Sequence, residues 1–192
     1  MLTATASQIA DVTTAPQQQP GLRVKIPNQG TDHVLYYVNA SSGNVSIKDG
    51  QRKPTGSDVA VTHPESSGDQ EWVYVYNSTG SPIARGDLVA FDTDGTNPLA
   101  EYHVREAPAN CPVGLIVGAA QHTIPAGSYG YVLAKGVGKV YAVGAVATSV
   151  NIVPSATAGQ VAAGAATVAN VGFTLLATLG AGLTDARLNC PG

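Results

Sequence analysis

Charged side chains are scarce in this chain. They make up 12% of its 192 residues, about half the share of an ordinary soluble domain. None lies between Lys139 and Asp185. The largest basic cluster is Gln51-Arg52-Lys53, and the balance of 10 basic to 13 acidic residues gives a net charge of −3. That leaves no footing for an electrostatic grip on nucleic acid. A catalytic domain concentrates His, acids, Cys or Lys into a polarised site. Here His33, His63, His103 and His122 show no metal-ligand spacing. Cys111 lies between His103 and His122 in sequence and is the nucleophile candidate, but no oxyanion hole or third orienting group accompanies it. Gly136-Val-Gly138-Lys139 lacks the spacing of a phosphate loop, and Ser128 lacks a nucleophile elbow. The expectation is a protein that is not an enzyme, with no cofactor, no metal and no small-molecule substrate.

Aromatic residues are only 6%, so a core must be built from aliphatic and small side chains. Two cysteines, Cys111 and Cys190, are too few for a disulfide scaffold. Free thiols in a reducing cytoplasm are expected, with a Cys111–Cys190 bond as the alternative. Val161 to Leu183 is uncharged, yet Asn170 and glycines at 164, 172, 180 and 182 interrupt it, which argues against a membrane helix. Met1 to Asp11 has no Lys or Arg and no continuous apolar run, so no secretory signal is expected there.

What is present is β-forming text. Leu22-Arg23-Val24-Lys25-Ile26 alternates with the period of a half-buried strand, and 33–38 and 45–47 follow. Gln17-Gln18-Gln19-Pro20 has linker composition. Residues 49–69 read as a long loop broken by Val59-Ala60-Val61. A boundary near residue 70 would separate an extended N-terminal arm (1–70) with a poor core of its own from a β-rich body (71–192). The body shows strand candidates at 71–76, 87–91, 101–105, 113–118, 129–134, 137–143, 150–153, 171–177 and 183–188, cut by glycine turns. That pattern predicts an all-β fold, a small barrel or sandwich. Alanine-rich 156–169 is an alternative short helix. A faint echo links Val113-Gly-Leu-Ile116 ahead of Gly127 with Val171-Gly-Phe-Thr174 ahead of Gly180 and Gly182.

Several motifs have plainer readings. Asp92-Thr-Asp94-Gly95 has the wrong spacing for an EF-hand and reads as a tight hairpin. Arg85-Gly86-Asp87 is an adhesion word that a glycine kink before a strand explains, leaving solvated ends. Asn39, Asn44 and Asn77 each begin a glycosylation sequon of the kind that arises by chance in Ser- and Thr-rich text. Trp72, Tyr74 and Tyr76 form an alternating row, either core or interface anchors, with core the safer reading for Trp72.

One further signal is the order of features in the body. It runs Val73-Tyr-Val-Tyr76-Asn77 with Thr79-Gly80, then Ile83-Ala-Arg-Gly86-Asp-Leu-Val89, then Pro112-Val-Gly-Leu-Ile116. Ile124-Pro-Ala-Gly127-Ser-Tyr-Gly-Tyr-Val132 and Gly136-Val-Gly-Lys-Val140 follow, then Pro154-Ser-Ala-Thr-Ala-Gly159 and Val171-Gly-Phe-Thr-Leu175. Across roughly the last two thirds of the chain this resembles phage capsid decoration (cement) and related virion structural proteins. The resemblance implies a β-rich module, often a homotrimer, on the outside of the head. Its partners would be the major capsid protein and copies of itself, with no nucleic acid or membrane. Synthesis would be in the host cytoplasm and the final location the capsid exterior. An arm could add a strand to a neighbour's sheet edge. Leu22, Val24, Ile26, Leu35 and Tyr37 are then the candidate capsid or subunit contacts, and the uncharged segment 140–183 a candidate subunit interface. Deleting 1–48 would leave a folded body. The alternatives are a tail fibre, spike or tube subunit, and a secreted adhesion module.

Overall fold

A computed structural model describes residues 2–28, 30, 32–48, 54–65, 68–93, 102–165, 169–175 and 180–191. The strands are β1 (Leu2–Thr3), β2 (Arg23–Ile26), β3 (His33–Asn39), β4 (Val45–Ile47), β5 (Asp58–His63), β6 (Gln70–Asn77), β7 (Leu88–Phe91) and β8 (His103–Glu106). They continue with β9 (Ile116–Ala120), β10 (Tyr129–Ala142), β11 (Asn151–Pro154), β12 (Val161–Ala163), β13 (Gly172–Thr174) and β14 (Gly182–Asn189). One helical turn, α1 (Ala6–Ile9), is held by a capping box between Thr5 and Gln8 and buries Ile9. The all-β expectation holds. Of the helix considered over 156–169, the described residues 156–165 form turns and β12 instead. Residues 161–163 pair with β10 and β11, and those partners override alanine's helix preference. The long loop at 49–69 contains β5. The Asp94-Gly95 hairpin lies outside the described residues.

The echo in the sequence is a duplicated topology. The pairings β6–β8–β7–β9–β10 return to β6, and the pairings β10–β12–β11–β13–β14 return to β10. Within each circuit the first strand runs parallel to the third and antiparallel to the fifth. The second strand pairs antiparallel with the third and fourth, and the fourth with the fifth. The turn before the second strand repeats as well. Ile83-Ala-Arg-Gly86 precedes β7 and Val146-Ala-Thr-Ser149 precedes β11, with the fourth residue left-handed in both, at φ +93° and +60°.

β10 belongs to both circuits. Tyr129 to Lys135 pair with β6, and Lys135 to Ala142 pair with β14. The change of partner falls at a bulge between Leu133 and Lys135, followed by Gly136 at φ +111°. This joins the two sequence candidates 129–134 and 137–143 into one 14-residue strand. Beyond the bulge, two buried glutamines replace the strands that have ended. Gln70 Nε2 donates to the Val137 carbonyl at 2.9 Å. Gln121 Oε1 accepts from the Lys139 N–H at 2.8 Å, and its Nε2 donates to the Lys139 carbonyl at 3.0 Å. Backbone groups that would otherwise be orphaned are thereby satisfied.

The core continues across residue 70. One face of the first circuit forms a cluster of Val73, Val75, Val89, Val104, Val117 and Val132. The opposite face, with Trp72, Tyr74, Tyr131 and Leu133, packs against Ile9, Val24 and Ile26 and against Leu35, Tyr36, Val38 and Val61 of the small sheet β4-β3-β5. The same cluster runs on into the second circuit through Val140, Ile152, Val161 and Leu188. Within residues 2–26, backbone bonds tie several positions to the body. β2 pairs with β6, Thr13 bridges to Tyr129, and the Gly21 N–H donates to the Tyr74 carbonyl at 2.7 Å. The Gln17 N–H donates to Tyr74 Oη at 3.0 Å, so the glutamine segment is anchored as well. Ile9, Val24, Ile26, Leu35, Tyr36, Val38 and Val61 of the N-terminal 70 residues therefore share one core with the body. Each fully buried aliphatic side chain contributes about 1.5–3 kcal/mol, and removing 1–48 would delete several of them while uncovering Trp72.

Candidate functional site

The predicted contact residues divide by burial. Val24, Ile26 and Leu35 are 3%, 4% and 1% exposed, so this chain's own core already covers them. Their alternation faces inward because β2 lies on β6 and β3 lies over the first circuit. Leu22 and Tyr37 are half-buried and keep some surface. Trp72 and Tyr74 are core, while Tyr76 is half-buried and rests 4.6 Å from Tyr129, centroid to centroid.

Among the described residues, Cys111 Sγ donates to the Pro112 carbonyl at 3.6 Å and makes no hydrogen bond to His103 or His122. Cys111 and Cys190 are both free and buried. Burial pushes both thiols up, Cys190 to about 12, which disfavours the thiolate a nucleophile needs. His122 is fully buried at the seam between the first circuit and the small sheet, with Nδ1 2.8 Å from Tyr36 Oη. Its Nε2 has no partner among the described residues. Burial first, then the nearby Lys48 and Arg85 cations, holds its pKa down at about 4, so it is neutral at pH 7. Among the described residues no group of three His, Cys, Asp or Glu is placed to hold a metal, and no helix is long and apolar enough to cross a membrane.

Two motifs change meaning in the fold. Arg85-Gly86-Asp87 is not a pair of solvated ends on a kink. A Cβ on Gly86 would collide with the Leu183 side chain, and Arg85 and Asp87 are both half-buried. Asp87 accepts the Ala84 N–H at 2.8 Å, and burial, with Glu106 adding to it, raises its pKa to about 7. The kink itself is real, since the Gly86 N–H donates to Ala120 and its carbonyl accepts from Tyr141. Asn77 is fully buried, and its Nδ2 donates to the carbonyls of Ser81, Ile124 and Pro125. That amide is a structural tie, closed to a glycan in the folded protein.

Among the described residues, the large apolar side chains left exposed are Leu2, Val34 and Val59 on β1, β3 and β5, and Val143, Phe173 and Leu183 on or beside the second circuit. The outward row of β14 carries Leu183, Asp185 and Arg187, opposite Tyr141, Lys139 and Val137 of β10. Lys139 and Asp185 form an ion pair at 2.8 Å. Leu183 is 40% exposed beside half-buried Tyr141, and Val143 just beyond it is 41% exposed. The described residues of the uncharged segment 140–183 divide between buried side chains such as Val140, Val146, Ile152 and Val161 and exposed ones such as Val143, Phe173 and Leu183. Strand parity carried that signal in the sequence, because Leu183 stands in register with Asp185 and Arg187 and out of step with Thr184, Ala186 and Leu188.

No protein-family model matches the chain, and no curated protein matches it. Among solved structures, the N base of the head fibre gp8.5 of bacteriophage phi29 is similar in shape. The identity is 12% and the TM-score 0.44, over 62% of this chain and 94% of that one.

Proposed function

We propose that the chain is a phage virion structural protein and, within that class, a decoration (cement) protein. It sits as a homotrimer on the outside of the head and braces neighbouring major capsid subunits. The observation that carries this reading is an apolar face on the second circuit, where Val143 and Leu183 are exposed beside half-buried Tyr141 in a segment without charge. Interface cores are depleted of charge and built around such side chains. The order of strands and glycines from residue 72 onward supports the class. Leu22 and Tyr37 are the members of the N-terminal set with surface left to contribute to a contact. The mechanism is mass action: a protein that binds only the assembled shell stabilises that shell.

Two measurements test the reading. The first is the copy number relative to the major capsid protein, by calibrated peptide mass spectrometry of purified particles. A ratio near one to one, or a simple fraction of it, is expected. A few copies per particle would move the protein to the tail, and absence from particles would end the virion reading. The second is head binding by Val143→Glu and Leu183→Glu, which should be lost while both proteins remain folded.

A further inference from the structure

The sharing of β10 has a geometric consequence. β6 and β14 both reach Lys135, one from each circuit, and diverge from there. Two strands that leave a common neighbour in different directions open a wedge between them. The wedge is a cleft of about 570 Å³. Its floor is Lys135 and Gly136. One wall is the β2–β6 edge, and the other is β13 and β14.

The polar groups of the first wall are already committed. Lys25 pairs with Asp69 at 2.8 Å, and Asp69 also accepts the Asn28 N–H. Glu71 is engaged by Arg23, with Lys135 standing off at 3.9 Å. The opposite wall is uncommitted. Arg187 is exposed, and its side chain makes no hydrogen bond or ion pair among the described residues. Phe173, 38% exposed, is its cross-strand neighbour on β13, and Asn170 and Asn189 complete the rim. Both acids are therefore neutralised within their own wall. A guanidinium fork, a loosely held ammonium and two amides face the empty space, beside one aromatic ring.

We propose that this wedge is a binding site for a carboxylate group. Arg187 supplies a bidentate fork, Lys135 a second positive charge from the floor, and Phe173 an apolar flank for the carbon chain behind the carboxylate. Gly172 makes the site possible. A Cβ there would strike the Arg187 carbonyl oxygen and push β13 away from β14. The site stands whether or not the protein sits on a phage head.

The test is a titration of the full chain, followed by backbone amide shifts, with two probes: citrate and an N-acetylated tetraglutamate amide. Saturable shifts at Asn170, Phe173 and Asn189 are expected with at least one probe. Arg187→Gln should weaken binding about tenfold or more, and Lys135→Gln less. Lys48→Gln, which alters a different cleft, should bind as the wild type does. Citrate alone would identify a free small carboxylate as the ligand. The peptide alone would identify an acidic side chain of a protein neighbour. No saturable shift with either probe would overturn the proposal. So would binding indifferent to Arg187→Gln, or equally weakened by Lys48→Gln. Arg187 has no partner to lose, so its variant keeps the fold.

Discussion

Gln121→Met is the sharpest test of how one strand serves two circuits. The side chain keeps its length and loses both of its hydrogen-bonding atoms. In the wild type these atoms hold the Lys139 N–H at 2.8 Å and the Lys139 carbonyl at 3.0 Å, and Gln121 itself is 1% exposed. Leaving a buried backbone group unsatisfied costs about 1–3 kcal/mol, so the pair should cost about 2–6 kcal/mol. For a domain of this size that lowers Tm by roughly 2–4 °C per kcal/mol. Differential scanning calorimetry measures the loss, and amide hydrogen exchange locates it. Exchange at Lys139 should quicken beyond what the global change explains, because its N–H has lost its partner. A Tm within about 1 °C of the wild type, with Lys139 still protected, would refute the view that glutamine side chains replace the missing strands.

Ser149 occupies the left-handed position that Gly86 fills in the equivalent turn. Ser149→Gly should therefore stabilise the protein by about 1 kcal/mol, seen as a higher urea midpoint. An unchanged or lower midpoint would contradict the equivalence of the two turns. Gly172→Ala places a Cβ against the Arg187 carbonyl oxygen at φ +152° and should cost about 3 kcal/mol or more. A normal urea midpoint would show that β13 can shift freely. Stability should also depend on pH through two groups of opposite sign. His122 is depressed from 6.5 to about 4, so its contribution is complete above pH 6.5 and is lost as pH falls toward 4, by up to about 3 kcal/mol. Asp87 is raised from 3.8 to about 7, so the folded state favours its protonated form and stability is lost as pH rises across that window, by up to about 4 kcal/mol. Urea unfolding across pH 4–8 should show the acid-side loss flattened in His122→Gln and the loss on the alkaline side flattened in Asp87→Asn.

By itself the sequence determined the class of fold and most of the strands. Val24 and Ile26 alternate with Arg23 and Lys25, and glycine marks the turns at 86 and 127. These are local signals, set by side-chain period and by backbone conformations that only glycine adopts cheaply. Composition likewise indicated an aliphatic core and little charge to place on the surface. Only the tertiary structure decided what those strands do together. That β10 runs unbroken through Gly136 and Gly138 depends on partners distant in sequence, β6 on one side and β14 on the other. The same pairings turn a faint echo into a repeated topology. Burial of Val24 and Leu35 by this chain follows from the docking of β2 and β3, which alternation alone does not reveal. Alternation gives an apolar face but not what covers it. The cleft at Lys135 is likewise absent from any motif. It exists because two strands diverge from one, and it gathers Lys135, Asn170 and Arg187 from three separate segments of the chain.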